Sequence, residues 1–126
     1  MTLTPNPGGQ YVLVVDGDFH RGKALVSEMR ASGCYAATAT SGAEALRYVA
    51  ENEPDAVVSE WELPDMTGLE LVRRMTLEEA STKAILHREK ADWHQLRQTL
   101  ECGGEDLLSN PVHATELLRA LTRHGK

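Results

Sequence analysis

The sequence predicts an α/β fold in which one parallel β-sheet is flanked by helices. Short apolar runs of strand length alternate along the chain with segments whose apolar residues repeat at helical spacing, a pattern typical of parallel sheets covered by helices. The 126 residues fit one domain, and no internal repeat is visible. We therefore predict one domain over residues 11–126 with five strands and five helices, preceded by a disordered Pro- and Gly-rich tail at residues 1–10.

Five short segments have the composition expected of the strands. The first reads YVLVV and runs into Asp16, and the third reads AVVS and ends at Glu60. The other three are the weaker YAATA, then KAILH, and finally DLLS near the end of the chain. Pro54 precedes the third strand and blocks continuation of the helix before it.

The five helices are predicted from apolar spacing and from residues that favour helix ends. The first is expected over residues 19–32, with Ala24, Leu25, Val26 and Met29 facing the core and Gly33 closing it. Capping boxes begin the second helix at Ser41-Gly-Ala-Glu44 and the third at Thr67-Gly-Leu-Glu70, and Asp92 begins the fourth. The apolar helix positions are Ala45, Leu46, Val49 and Ala50, then Leu71, Val72 and Met75, then Leu96 and Leu100, and finally Leu117, Leu118 and Leu121.

Composition and charge exclude several classes of function. The net charge of −6 argues against a surface that binds nucleic acid or an anionic membrane. No apolar run is long enough to span a bilayer, and the first ten residues do not resemble a secretory signal. Cys34 and Cys102 lack metal-binding or redox-motif spacing, which indicates reduced thiols. We expect a cytoplasmic protein.

Polar side chains follow four of the predicted strands. Asp16 and Asp18 come after the first, Glu60 ends the third, His87 ends the fourth and Asn110 follows the fifth. Functional groups of an open parallel sheet gather beyond the carboxyl ends of its strands, so we expect these residues to meet at one edge. Three carboxylates there would repel a phosphate group in the absence of a divalent cation.

Three sequence blocks resemble the receiver domains of two-component response regulators. They read VLVVDGD, PDAVVSEWELPDMTGLELVRRM and ADWHQLRQTLECGGEDLLSNPV, and the likeness runs from about Tyr11 to Arg123. The middle block is the most specific, with an acidic residue at 60, Pro64 four residues later, and Gly68 opening the next helix. The resemblance implies a CheY-like, flavodoxin-like (βα)5 fold, doubly wound, with strand order 2-1-3-4-5.

The residues that carry phosphoryl chemistry in such receivers are changed in this chain. The family's phosphate-accepting aspartate is replaced by Glu60, and of its two adjacent Mg²⁺-binding acids only Asp16 remains, followed by Gly17. The extra methylene of glutamate moves the carboxylate on the order of 1 Å, and such a displacement can cost about 10²-fold in rate. We therefore expect weak or absent Mg²⁺ binding and no other cofactor.

The positions through which such receivers sense the phosphoryl group are also changed. The resemblance places a Thr or Ser at position 87, an aromatic residue at 107 and a lysine at 110, where this chain has His87, Leu107 and Asn110. We hypothesise a pseudo-receiver that is not an enzyme and signals without phosphorylation. In this hypothesis His87, as an imidazolium, pairs with Glu60 or Asp16 and relieves the repulsion between carboxylates. The competing interpretation of His87 is a partly exposed histidine without a role.

Three alternatives remain open at this stage. Asp16-Gly-Asp18 after an apolar strand resembles the nucleophile and acid–base pair of haloacid-dehalogenase phosphatases. A receiver still phosphorylated on Glu60 or Asp18 is the second alternative. The third is that Glu60 imitates the phosphorylated aspartate and holds the domain in its active state.

The resemblance also predicts a partner surface on the fourth helix, fifth strand and fifth helix. Its expected members are Trp93, Arg97, Leu107 and Arg119, and the expected partners are a histidine kinase, another regulator or an output domain, with homodimerisation through helices four and five. Trp93 is interpreted either as an interface anchor or as a ring packed over the adjacent loop. Trp61, directly after Glu60, is a candidate cover for the former phosphate pocket.

Overall fold

The computed structural model describes residues 10–123, and in them five strands alternate with five helices. The strands are β1 (Tyr11–Val15), β2 (Tyr35–Ala39), β3 (Ala56–Glu60), β4 (Lys83–Arg88) and β5 (Asp106–Ser109). The helices are α1 (Phe19–Ala31), α2 (Gly42–Asn52), α3 (Gly68–Leu77), α4 (Trp93–Glu101) and α5 (Ala114–Arg123). The predicted tail falls almost wholly on residues 1–9, outside the described residues.

All strand pairs are parallel, and the sheet order is β2-β1-β3-β4-β5. This confirms the flavodoxin-like arrangement. The register places Val15 beside Ser59 and Glu60 beside His87, so the carboxyl ends of β1, β3 and β4 lie side by side. The predicted edge of polar residues therefore exists, and its members come from neighbouring strands.

The three central strands β1, β3 and β4 are buried on both faces, which divides the core into two layers. Alternate residues such as Val12, Val14 and Ile85 pack with α1 and α5, whereas Leu13, Val57 and Leu86 pack with α2, α3 and α4. This two-sided burial is the reason that the strands read as continuous apolar runs. The arrangement fixes the strand ends that carry the polar residues.

Several helix positions differ from the sequence prediction. Ala24 and Ala50 are exposed and Leu100 is 49% exposed, whereas Thr99 is fully buried and donates its hydroxyl to the Gln95 carbonyl. Thr99 takes the buried position in place of Leu100 because a polar side chain can be buried when its hydroxyl is paired within the helix. α1 ends at Ala31, one residue early, and Gly33 follows at a φ of 93°.

The predicted helix starts at Ser41, Thr67 and Asp92 are correct, and of these three the one at Asp92 has a complete capping box. Asp92 accepts the backbone N–H of Gln95, and the Gln95 side chain accepts the N–H of Asp92. At α2 the Ser41 hydroxyl accepts the backbone N–H of Glu44, and at α3 the Thr67 hydroxyl accepts the backbone N–H of Glu70. The Glu44 side chain instead accepts the Thr40 N–H, and Glu70 pairs with Arg73 and Arg74.

Candidate functional site

The strand ends bring Asp16 and Glu60 together around a third residue, Arg21. Asp16 is 4% exposed, and both of its oxygens accept from Arg21: Oδ2 from Nε at 3.0 Å and Oδ1 from Nη2 at 2.9 Å. The same Nη2 donates to Glu60 Oε2 at 2.6 Å. One guanidinium therefore bridges both carboxylates, and we call these three residues the Arg21 cluster.

Arg21 was missed by the sequence reasoning, although the chain contains a signal for it. Asp18 is the N-cap of α1 and accepts the backbone N–H groups of His20 and Arg21. Arg21 therefore lies in the first turn, where helical side chains lean toward the N-terminus and hence back over the end of β1. An arginine five residues after an acidic strand end can reach that acid, and this spacing was the available signal.

The backbone supplies the other partners of the two carboxylates. Glu60 Oε1 accepts the Gly17 N–H at 3.1 Å, and Asp16 Oδ1 accepts the Asp18 N–H at 2.8 Å. Burial raises the pKa of Glu60, while the Gly17 N–H and the Arg21 charge oppose that rise. The hydrogen bond from Arg21 to Asp16 raises the pKa of Arg21, so the guanidinium stays charged.

His87 does not pair with either carboxylate, so the hypothesis that a protonated His87 pairs with Glu60 or Asp16 is wrong. It is 5% exposed, and its Nδ1 lies 2.8 Å from Asn110 Oδ1. Because the amide oxygen only accepts, Nδ1 must carry the proton. Burial lowers the pKa of His87, against the effect of the Asn110 hydrogen bond, so the ring is neutral at pH 7 and Nε2 is an acceptor. The alternative of a partly exposed histidine is also wrong.

Asp18 and Leu107 have structural roles. Asp18 caps α1, and the hydrogen bond from the Arg21 backbone lowers its pKa. Leu107 is 6% exposed and packs in the core layer of α2, α3 and α4, so its predicted place on the partner surface is a misassignment. The alternation of β5 turns this side chain inward. Asn110 lies after β5 as predicted, and its side chain bonds His87.

The fourth and fifth helices do present the other predicted residues. Trp93 is 84% exposed, so the interpretation that its ring packs over a loop is wrong. Arg97 and Arg119 are also exposed. Trp61 is partly buried against the core, and the Arg88 guanidinium lies over its ring at 5.6 Å.

Among residues 10–123, no group of three or more His, Cys, Asp or Glu side chains is arranged to hold a metal ion. Within the same residues, every helix is too short or too polar to cross a membrane. Both statements concern the described part of the chain.

The chain matches the response regulator receiver domain family over residues 12–122. It belongs to that family. The transcriptional regulatory protein PrrA of Mycobacterium tuberculosis is 34% identical over 107 residues, which cover 85% of this chain and 46% of PrrA. The chain therefore spans about half the length of this curated relative. The phosphatase alternative gains no support from these matches.

Solved receiver structures show the same fold. A response regulator of Chloroflexus aurantiacus is 26% identical with a TM-score of 0.82, covering 91% of this chain and 96% of that one. The receiver domain of the response regulator NarL of Mycobacterium tuberculosis is 22% identical with a TM-score of 0.84, covering 94% and 98%. The chain therefore has the fold of these receiver structures.

The buried, neutral state of His87 makes a pH-dependent stability prediction. In the unfolded state His87 has its ordinary pKa of 6.5 and binds a proton below that pH, whereas in the folded state burial lowers its pKa. The free energy of unfolding is therefore unaffected by this group above pH 6.5 and falls as the pH drops from 6.5 toward the lowered pKa of the folded state. We expect His87→Leu to reduce the loss of stability between pH 7 and pH 5, measured by urea unfolding. The exposed-histidine variant His94→Gln should keep the loss, and an unchanged pH profile in His87→Leu would refute this role.

Proposed function

We propose that this receiver domain signals without phosphorylation, as a protein-interaction module held in one state by the Arg21 cluster. The observation that carries the proposal is the guanidinium that bridges Asp16 and Glu60. Glu60 occupies the position of the phosphate acceptor, and its Oε2 is already paired with a fixed cation. An attacking carboxylate oxygen would first have to give up that charge-assisted hydrogen bond.

The donor set does not fit the Mg²⁺ ion that the family implies. Gly17 contributes no side-chain ligand, and both Asp16 oxygens accept from Arg21. A divalent cation at these carboxylates would face the guanidinium at short range, and like charges this close repel. We infer that Mg²⁺ binding is weak or absent and that Arg21 supplies the positive charge instead.

The groups that would sense a phosphoryl group are also engaged elsewhere or missing. The His87 Nδ1–H is donated to Asn110, and neither residue provides the fixed positive charge of the family's lysine. Phosphoryl transfer depends on such charges to neutralise its transition state. Asp18, the other proposed acceptor, already binds two backbone N–H groups as a helix cap.

The proposed interaction surface is the exposed face of α4 and α5 that carries Trp93, Arg97 and Arg119. Aromatic and arginine side chains are enriched at binding hot spots, and Trp93 has the largest exposed fraction among the large apolar side chains described. We infer that a histidine kinase, another regulator or an output domain binds here in the cytoplasm, and that the same face supports homodimers. The module has no catalytic activity of its own.

Restoring family residues at positions 17, 60, 87 and 110 and removing Arg21 should restore phosphorylation. We expect the combined variant Arg21→Ser, Gly17→Asp, Glu60→Asp, His87→Thr and Asn110→Lys to take up one phosphoryl group from acetyl phosphate with Mg²⁺, as measured by intact mass. The unchanged chain should react at least about 100-fold more slowly, because its carboxylate is displaced and its cations are missing. The matched control carries Glu60→Asn in the same background and should not react.

The opposite result would be decisive. If the unchanged chain is phosphorylated as fast as the restored variant, and Glu60→Gln abolishes the reaction, the domain is a working receiver with glutamate as its acceptor.

A further inference from the structure

A carboxylate on α1 binds the start of α5. Glu28 Oε1 accepts the backbone N–H of Ala114, the first residue of α5, at 2.7 Å, and Oε2 lies 3.0 Å from His113 Nδ1. The hydrogen bonds from His113 and Ala114 lower the pKa of Glu28, so its carboxylate is ionised at neutral pH. Because an ionised carboxylate only accepts, His113 Nδ1 is the donor. We call the contacts of Glu28 with His113 and Ala114 the α1–α5 bridge.

The α1–α5 bridge supplies an acceptor that the residue before α5 is poorly suited to supply. His113 occupies the N-cap position, since its carbonyl accepts the N–H of Leu117 at 3.0 Å. Ser, Thr, Asp and Asn are favoured at that position because their short side chains accept N–H groups of the first turn. Here the His113 ring is bound to Glu28, and the acceptor for Ala114 comes from 86 residues earlier in the chain. Its negative charge also suits the positive end of the helix dipole.

The same face of α1 carries Arg21 and Glu28. The two residues are seven positions apart, which is about two helical turns and about 10 Å along the axis. Arg21 binds α1 to Asp16 at the end of β1 and to Glu60 at the end of β3. Glu28 binds the other end of α1 to α5. The helix is therefore held at one end by the Arg21 cluster and at the other by the α1–α5 bridge.

Apolar packing joins α1 to α5 beside this bridge. Val26 and Met29 of α1 are buried in the same core cluster as Leu117 and Leu121 of α5. Close-packed interiors transmit strain, because a side chain cannot shift without moving its neighbours. A displacement of α1 therefore reaches α5 through both buried packing and hydrogen bonds.

We propose that α1 couples the Arg21 cluster to α5, and that Glu28 is the positioning residue that transfers a displacement of α1 to the start of α5. This route does not use positions 87, 107 and 110, through which the receivers that this chain resembles sense a phosphoryl group. The inference rests on the proposed function in one respect, because α5 carries Arg119 of the proposed interaction surface. It adds how the state of the Arg21 cluster sets the position of that surface.

A double-mutant cycle measures this coupling by urea unfolding of the full chain, with Arg21→Ala, Glu28→Ala and the combined variant. Substitutions at sites about 10 Å apart without a shared partner usually act independently, to within about twofold in the unfolding equilibrium constant. We expect the combined variant to have an unfolding constant at least about threefold below the product of the single effects, because an α1 released at one end gains less from being held at the other. The matched cycle pairs Arg21→Ala with Asp92→Ala, which removes the N-cap of α4, and should show independence.

Amide NMR spectra of the folded variants give a readout that a loss of stability alone does not change. Arg21→Ala should shift the amide signal of Ala114, which donates to Glu28. In the reverse direction, Glu28→Ala should shift the amide signal of Gly17, which donates to the Arg21 cluster. The matched control Lys23→Ala removes an exposed cation of α1 that is no part of the cluster or the bridge, and it should shift neither signal.

Two outcomes would overturn the proposal. One is an Arg21–Glu28 cycle as independent as the Arg21–Asp92 cycle, and the other is a shift of the Ala114 signal in Lys23→Ala as large as in Arg21→Ala. If Arg21→Ala does not fold, the reverse shift in Glu28→Ala decides. Both measurements use the free domain without Mg²⁺ or a phosphate donor, so they are separate from the phosphorylation test. A domain that accepts phosphate and still shows the coupling would contradict the proposed function alone.

Discussion

Arg21→Ala lowers the free energy of unfolding by about 2 kcal/mol in our account. Removing one partner of a buried ion pair costs about 3–5 kcal/mol, and we discount that figure because 59% of the Arg21 side chain is exposed. The cost arises because Asp16, which is 4% exposed, stays buried beside Glu60 after its counter-ion is lost. Urea unfolding near neutral pH measures it.

The effect of Mg²⁺ on Tm is a second and more specific measurement for Arg21→Ala. With the guanidinium gone, the two carboxylates can attract a divalent cation, so millimolar Mg²⁺ should raise the Tm of Arg21→Ala and leave the Tm of the unchanged chain in place. The matched control is Arg73→Ala, which breaks an exposed ion pair with Glu70 and should lower the free energy of unfolding much less than Arg21→Ala does, without any Mg²⁺ effect. If Arg21→Ala and Arg73→Ala lowered the free energy of unfolding equally, the stabilising role of the Arg21 cluster would be contradicted.

Gly68→Ala should lower the free energy of unfolding by about 3 kcal/mol. A Cβ at Gly68 would lie 2.6 Å from the backbone oxygen of Glu60 and 3.3 Å from the Cα of Trp61, and neither backbone atom can move independently of the strand. Gly68 N–H also donates to the Trp61 carbonyl at 2.6 Å. The substitution therefore displaces the segment that positions Glu60, and both stability and the NMR signals of the Arg21 cluster should change.

Gly42→Ala is the matched control for this prediction. Gly42 also opens a helix, but the three atoms nearest to its added Cβ all belong to the side chain of Met66, which is flexible and can move. We expect a cost of about 1 kcal/mol or less. A Gly68→Ala protein as stable as Gly42→Ala would show that the Glu60–Trp61 segment is not constrained by this contact.

The order and type of the elements could be predicted from the sequence because they depend on local pattern. The runs at Tyr11–Val15 and Ala56–Glu60 are apolar on both faces, as buried parallel strands must be, and the structure has strands there. Helix starts were equally clear at Ser41, Thr67 and Asp92. Burial within helices was less predictable, because Thr99 takes a core position in which spacing favoured Leu100.

The residues at the site could be predicted, but their pairing could not. Asp16, Glu60, His87 and Asn110 all lie at the carboxyl edge, because parallel register brings strand ends together. The choice of partner depends instead on side-chain reach and competition. Arg21 reaches both acids from the first turn of α1, and His87 bonds Asn110 instead. The five-residue spacing from Asp16 to Arg21 indicates that the two side chains can meet, but not that Arg21 also takes Glu60.

We propose that the Arg21 cluster makes the domain unresponsive to phosphorylation. The most direct measurement is the amide NMR spectrum of the unchanged domain before and after addition of Mg²⁺ with beryllofluoride, a mimic of the acyl phosphate. Our account predicts no saturable shift at Asp16, Glu60, His87 or Asn110. A saturable shift at these residues that spreads into α4 and α5 would contradict it and show a working switch.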